Sequence, residues 1–166
     1  RGKAEAQLLF ELTLALQDTG RLATDLLLFY TQEFAFIELA DAFTTGSSIM
    51  PQKRNPDVFE LVRGRSASAQ GCLSEALGIC AKLPSGYQRD LQLLKFPLFR
   101  GIDLAQQTFD ILAAALGAVQ FRAAAIHIDP AVHAAGEAYE LVVREGIPFR
   151  EAYRRVAARF RKADKP

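Results

Sequence analysis

A short polar segment between two apolar helical patterns carries the residues best suited to chemistry. It runs from Thr44 to Asn55, reads TTGSSIMPQKRN, and is followed by Pro56; we refer to residues 44–56 as the polar loop. Lys53 places a positive charge six residues after Ser47. The N–H groups of such a loop, and of the helix predicted after it, also attract negative charge. These residue types predict a site that binds a carboxylate or phosphate and also holds a hydroxyl.

Ser47 and the adjacent Ser48 allow one particular reaction. A serine hydroxyl is a poor base unless cations and oriented N–H donors stabilise its alkoxide. A serine activated in this way would remove a proton from a carbon next to a carboxylate. The residues alone leave open a second interpretation, a flexible turn in which Lys53 and Arg54 are solvated. The spacing excludes a phosphate-binding P-loop and a nucleophile elbow.

Before the polar loop, a helical pattern extends from about Lys3 to Glu38. Its apolar stripe is wide, which predicts a helix buried on more than one side; the central positions are Leu8, Leu12, Ala15, Thr19, Leu22, Leu26, Phe29, Glu33 and Phe36. Segments 34–39 and 42–45 predict two short strands of a hairpin that would orient the loop.

After the polar loop, Asn55 is predicted to cap a helix and Pro56 to occupy its first position. This helix would run from Asp57 to about Leu83. Its many small residues between positions 64 and 71 let neighbouring backbones approach closely. The pattern therefore predicts a helix at the centre of a bundle.

A second group of polar residues spans positions 87–95, which we call the polar patch. It contains Tyr87, Gln92 and Lys95 and precedes a third long helix that Pro97 opens or kinks and that ends near Arg122. The helix between loop and patch would carry the chain roughly 40 Å. If both segments serve one site, different subunits must supply them.

The helical patterns along the chain indicate an all-α fold in two parts. Residues 1–122 would form part of a bundle of long antiparallel helices, and residues 123–166 a small helical lobe with helices near 131–145 and 148–162, broken at Gly146.

A net charge of +1 gives no field that would attract nucleic acid or an anionic membrane. The chain contains no apolar run long enough to span a membrane, and we expect a cytoplasmic protein. Cys72 and Cys80, eight positions apart on one helix, lie too far apart for a disulfide.

The stretch GSSIMPQKRNP at residues 46–56 resembles the signature loop of the fumarase, aspartase and argininosuccinate lyase superfamily. The polar patch and the segment VVREGIPFREA at 142–152 resemble the argininosuccinate lyase branch in particular. The resemblance covers essentially the whole chain. It implies a central helical bundle and a reversible β-elimination that releases arginine and fumarate without metal or organic cofactor. The substrate would be a small molecule carrying a dicarboxylate.

The resemblance also implies roles for individual residues. Ser47 would be the base, Lys53 and Asn55 would hold a carboxylate, and Glu60 would orient a histidine from elsewhere in the fold. Substrate binding would fall to a further set: Ser48, Tyr87, Gln92 and Lys95. Family active sites combine three subunits of a homotetramer.

The family's two other signature stretches, including its Thr-His pair, do not occur in these residues. We therefore expect the chain to be a C-terminal portion of a subunit and inactive alone, with His127 and His133 at the surface. Leu93 and Leu94 stand where an acidic pair is common in relatives. Two alternatives stay open: adenylosuccinate lyase or another superfamily member, and a non-catalytic helical assembly module.

Overall fold

The computed structural model describes residues 2–163, and side chains as far as residue 160. Residues 1 and 164–166 of the predicted domains lie outside this range. The described chain is predominantly helical, as predicted, and its helices are α1 (Lys3–Tyr30), α2 (Asp57–Cys80), α3 (Lys95–Gly117), α4 (Ala134–Glu145) and α5 (Phe149–Ala163). Two short strands, β1 (Ile37–Leu39) and β2 (Val119–Phe121), form an antiparallel pair.

The chain divides into two compact units between Ala125 and Ile126. The first unit contains α1, α2, α3 and the two strands. In the second unit, Ala138 on α4 packs against Ala152 and Val156 on α5. Gly146 ends α4 at a φ of 65°, a left-handed conformation that glycine adopts without steric cost. The predicted break at this residue is therefore present.

Helix α2 occupies the centre of the first unit, as its small residues predicted, and packs against both α1 and α3. Its buried side chains contribute to two cores. Near the polar loop, Phe59 and Val62 pack with Leu26 and Leu112. Toward the other end of α2, the second core consists of Leu9, Cys72, Ala76 and Leu94. Cys72 and Cys80 are both free thiols, in agreement with the spacing argument.

Helix α1 differs from its prediction in both its end and its buried face. It ends at Tyr30, where the amide and hydroxyl of Thr31 both donate to the Leu28 carbonyl. The predicted continuation to Glu38 was wrong. The buried residues are Leu9, Thr13, Leu16, Gly20, Ala23 and Leu26, so most of the stripe lies one position after the predicted one. Because apolar residues flank the stripe on both sides, the periodicity alone could not identify which face of α1 is buried. Small residues such as Gly20 lie on the buried face and allow the close approach of α2.

The predicted hairpin between segments 34–39 and 42–45 was also wrong. Strand β1 pairs instead with β2, with Ile37 opposite Phe121 and Leu39 opposite Val119. Helix α3 brings β2 back beside β1, while Asp41–Phe43 form a single 3-10 turn. The amide of Thr45 donates to the carbonyl of Asn55. The backbone of Thr45 therefore pairs within the polar loop and not with β1.

Two glycines give opposite predictions for stability. A Cβ atom on Gly101 would lie 2.3 Å from Cδ2 of the buried Leu9, whereas one on Gly64 would meet no heavy atom within 4 Å. We expect Gly101→Ala to lower the free energy of unfolding by about 1–3 kcal/mol through overpacking. Gly64→Ala, on exposed α2 surface, should raise it by about 0.5–1 kcal/mol. Urea unfolding measures both, and equal midpoints for the two variants would contradict the packing of α3 against α1.

Candidate active site

The polar loop is closed at its base by its own backbone. Thr45 and Asn55 each donate an N–H to the other's carbonyl, at 2.9 and 2.8 Å. The Thr45 hydroxyl also bonds to the carboxylate of Asp57, the first residue of α2. The residues between are thus presented from a fixed base at the start of a helix.

This closure corrects the predicted helix cap. Pro56, not Asn55, occupies the N-cap position, and no side chain there bonds to the helix. The backbone of Asn55 is held by the bridge to Thr45, so its side chain is not placed to cap α2. The sequence rule identified the start of the helix within one residue but assigned the wrong role to Asn55.

The hydroxyl of Ser47 accepts two backbone hydrogen bonds. The amides of Ile49 and Met50 each donate to Ser47 Oγ at 3.2 Å. Two N–H donors directed at one oxygen stabilise negative charge on it. Ser47 is half-buried, whereas the neighbouring Ser48 is exposed. Of the two serines, Ser47 therefore has the oriented N–H donors that an alkoxide requires.

A cleft of about 920 Å³ lies beside the loop and brings together Lys53, Asn55 and Glu60. The other residues of its wall are Leu27, Tyr30, Thr31, Gln32, Met50, Gln52, Arg54, Pro56 and Arg63. The cations of this wall outnumber the one carboxylate, that of Glu60, and the start of α2 adds the positive end of a helix dipole. The cleft is therefore suited to an anionic ligand.

Tyr30 and Arg63 are among the polar residues of this cleft that the sequence analysis did not identify as site residues. Arg63 lies three positions after Glu60 and thus on the same side of α2, a spacing that was available in the sequence. Tyr30, the last residue of α1, lies one turn after Leu27, which lines the same cleft. Burial, and then the nearby carboxylate of Asp41, raise the pKa of Tyr30 above its usual value of 10.0. Its phenol therefore stays protonated at neutral pH and can donate a hydrogen bond.

The polar patch forms a separate group. The side-chain amide of Gln92 donates to the Tyr87 hydroxyl at 3.3 Å. Gln92 and Lys95 line a cavity of about 510 Å³ together with Leu93, Phe96 and Phe99. Lys95 is the first residue of α3. The structure thus brings together the three predicted binding residues of this patch.

Loop and patch lie at opposite ends of the helices of the first unit. Tyr30, at the end of α1, lines the loop cleft, whereas Lys3, at its start, lines a cavity with Tyr87. Helix α2, with 24 residues, separates the two segments by roughly 36 Å. The predicted separation is confirmed: Ser47, Lys53, Asn55 and Glu60 do not meet Tyr87, Gln92 and Lys95 within one chain.

Further observations concern the two histidines, possible metal ligands, the hydropathy of the helices and Leu94. His127 and His133 are both exposed in the second unit. Among the described residues, no three His, Cys, Asp or Glu side chains are grouped to hold a metal ion, and no helix between residues 2 and 163 has the length and apolarity to cross a membrane. Leu94, at the position of a common acidic residue, is buried in the core, where an unpaired carboxylate would be costly.

Comparisons with known proteins identify the relatives of this chain. A family model described as "Lyase" matches residues 3–71. The argininosuccinate lyase of Sorangium cellulosum is 52% identical over 160 residues, which cover 95% of this chain and 37% of that protein. The argininosuccinate lyase of Xylella fastidiosa (strain Temecula1) is 45% identical, over 95% of this chain and 35% of its own length.

Among solved structures, EDDS lyase in complex with formate matches 92% of this chain and 31% of its own, with a TM-score of 0.73 and 26% identity. The chain thus spans about a third of the length of the curated relatives it matches. The predicted resemblance is confirmed in fold and in sequence. This chain is similar in sequence to the argininosuccinate lyases over nearly its whole length.

Proposed function

We propose that the protein containing this chain is a lyase that splits argininosuccinate into arginine and fumarate. The observation that carries this proposal is the Ser47 hydroxyl, which accepts two backbone N–H groups in the same loop that presents Lys53 to a cationic cleft. Homologues at 45–52% identity bear the name of this enzyme. A carbon-acid elimination needs a base and a site that binds a carboxylate, and this loop carries a hydroxyl with two N–H donors and a lysine that lines a cationic cleft.

The proposed reaction begins at Ser47. Its alkoxide removes a proton from the carbon next to a carboxylate, and the electron pair moves into that carboxylate. Lys53 and Asn55 stabilise the doubly charged carboxylate that results. The pair then returns to form the C=C bond of fumarate while the C–N bond breaks. The departing nitrogen takes a proton from a donor outside these residues.

The other residues with proposed roles are Glu60, in the loop cleft, and three residues of the polar patch. Glu60 faces the cleft, where it can orient a histidine supplied by another part of the fold. Tyr87, Gln92 and Lys95 lie too far from Ser47 in the same chain and would bind substrate at a site shared with a neighbouring subunit. A homo-oligomer, which we propose to be a tetramer, satisfies this geometry. We further propose a cytoplasmic enzyme that needs no metal or organic cofactor, as the resemblance implies.

A complementation assay tests this proposal. The full-length protein should produce fumarate from argininosuccinate, followed by fumarate absorbance, and adenylosuccinate in a parallel assay should not react. The 166-residue chain alone should show little turnover, because it supplies only part of the site. Mixing it with the remaining amino-terminal part should restore activity. Turnover by the chain alone at the rate of the full-length protein would contradict the shared site.

A further inference from the structure

Arg54 makes several contacts within and beyond the polar loop. Its Nη1 donates to the carbonyls of Pro51 and Lys53, at 3.1 and 3.2 Å. Its Nε lies 3.4 Å from Oδ1 of Asp41. One guanidinium thus joins the second half of the loop to a residue outside it.

Asp41 belongs to a part of the chain that is fixed by other contacts. It begins the 3-10 turn that follows β1, and β1 is held by its pairing with β2. In the loop, the Lys53 amide donates to the Met50 carbonyl at 3.0 Å, so residues 50–53 form a turn. Arg54 bonds to two carbonyls of this turn and, through its ion pair with Asp41, connects the turn to the segment that follows β1.

The charge of Arg54 is partly engaged by Asp41, although the residue also lines the cleft. Both side chains are well exposed, at 44% and 83%, and exposed ion pairs add little to the free energy of unfolding. The contacts to the carbonyls of Pro51 and Lys53 instead restrict the backbone that carries the Lys53 side chain. The fork of donors that makes these contacts together is specific to arginine, because a lysine ammonium is a single point charge.

We infer that Arg54 is a positioning residue, which holds Lys53 toward the cleft through the Pro51 and Lys53 carbonyls and the Asp41 carboxylate. This inference rests on the proposed function of the loop. Small displacements of a catalytic group cost large factors in rate. Arg54 therefore acts on turnover through Lys53 and not by binding substrate.

A double-mutant cycle in the full-length protein tests the inference. Arg54→Gln is expected to lower kcat about tenfold with a smaller change in KM, and Arg54→Lys should restore little because the fork is lost. Asp41→Asn should lower kcat less, and the double variant should be no worse than Arg54→Gln alone, since both changes break one connection. The matched control is Arg21 with Asp18, an exposed pair on α1 at the same 3.4 Å distance, whose neutralisation should leave kcat unchanged.

Three outcomes would overturn the inference. If Arg54→Gln raised KM with kcat intact and Asp41→Asn had no effect, Arg54 would be a substrate ligand. If the two substitutions multiplied in kcat, they would act independently. Hydrogen exchange gives a readout that does not depend on activity: Arg54→Gln should speed exchange of the Lys53 amide, and unchanged exchange would contradict the inference. A wild-type protein without lyase activity would refute the proposed function, while the exchange result would still decide the role of Arg54.

Discussion

Replacing Ser47 with alanine is expected to lower kcat on the order of 10³-fold in the full-length protein, the middle of the range for a general base. The substitution removes Ser47 Oγ, the oxygen to which the Ile49 and Met50 amides donate. It leaves Lys53 and Asn55 in place, so the affinity for substrate should change little. Fumarate absorbance measures turnover, and titration calorimetry with the inactive variant measures binding.

Ser48→Ala is the matched comparison for this experiment. It deletes an identical hydroxyl from the next position, which is exposed and which we assign to substrate binding. We expect an increase in KM and a much smaller change in kcat than for Ser47→Ala. If Ser47→Ala stayed within tenfold of the wild-type rate, or Ser48→Ala caused the larger loss of kcat, the base would be misassigned.

Replacing Lys53 with glutamine should lower kcat/KM by about 10²- to 10³-fold, as for the loss of one donor to a developing oxyanion. The change removes the cation that would stabilise the carboxylate after proton removal, although Arg63 still lines the same cleft. Lys53→Arg retains charge but changes its position, and we expect it to recover only part of the loss. Steady-state kinetics at constant ionic strength measures each variant.

Lys82→Gln is the control for charge, since Lys82 is exposed just beyond the end of α2 that is remote from the loop. It should retain wild-type kcat/KM. Equal losses for Lys82→Gln and Lys53→Gln would mean that the overall charge of the protein, rather than the local site, controls the rate. A fully active Lys53→Gln would remove Lys53 from the mechanism.

The sequence predicted those features that depend on local chemistry. Gly146 ends α4 because its left-handed conformation is accessible to glycine, and this preference is readable without tertiary information. The polar loop was found because polar residues interrupt two apolar patterns. The separation of Ser47 from Tyr87 followed from the length of α2 alone. That Ser47, Lys53 and Glu60 act in catalysis stays a prediction until their variants are measured.

The features that were not predicted depend on distant parts of the chain. Leu9 rather than Leu8 faces the core, because α2 packs closely where α1 has small residues. Tyr30 lines the cleft because α1 packs against α2, which carries Glu60 and Arg63. The partner of β1 lies beyond α2 and α3, so no local pattern in segment 34–45 could reveal it. Asn55 lost its predicted capping role because Thr45 engages its backbone across the loop.

The pairing of β1 with β2 also sets when β1 gains its partner strand during synthesis. The paired residues are separated by 80 or more positions, and the segment that holds Asp41 follows β1 directly. At a translation rate of about 5–20 residues per second, the ribosome would need roughly 4–16 s to make this intervening chain. Until then the edge of β1 has no partner and is open to pairing with other chains. Nascent chains would be most exposed to misassembly in this interval, before α3 brings β2 back beside β1.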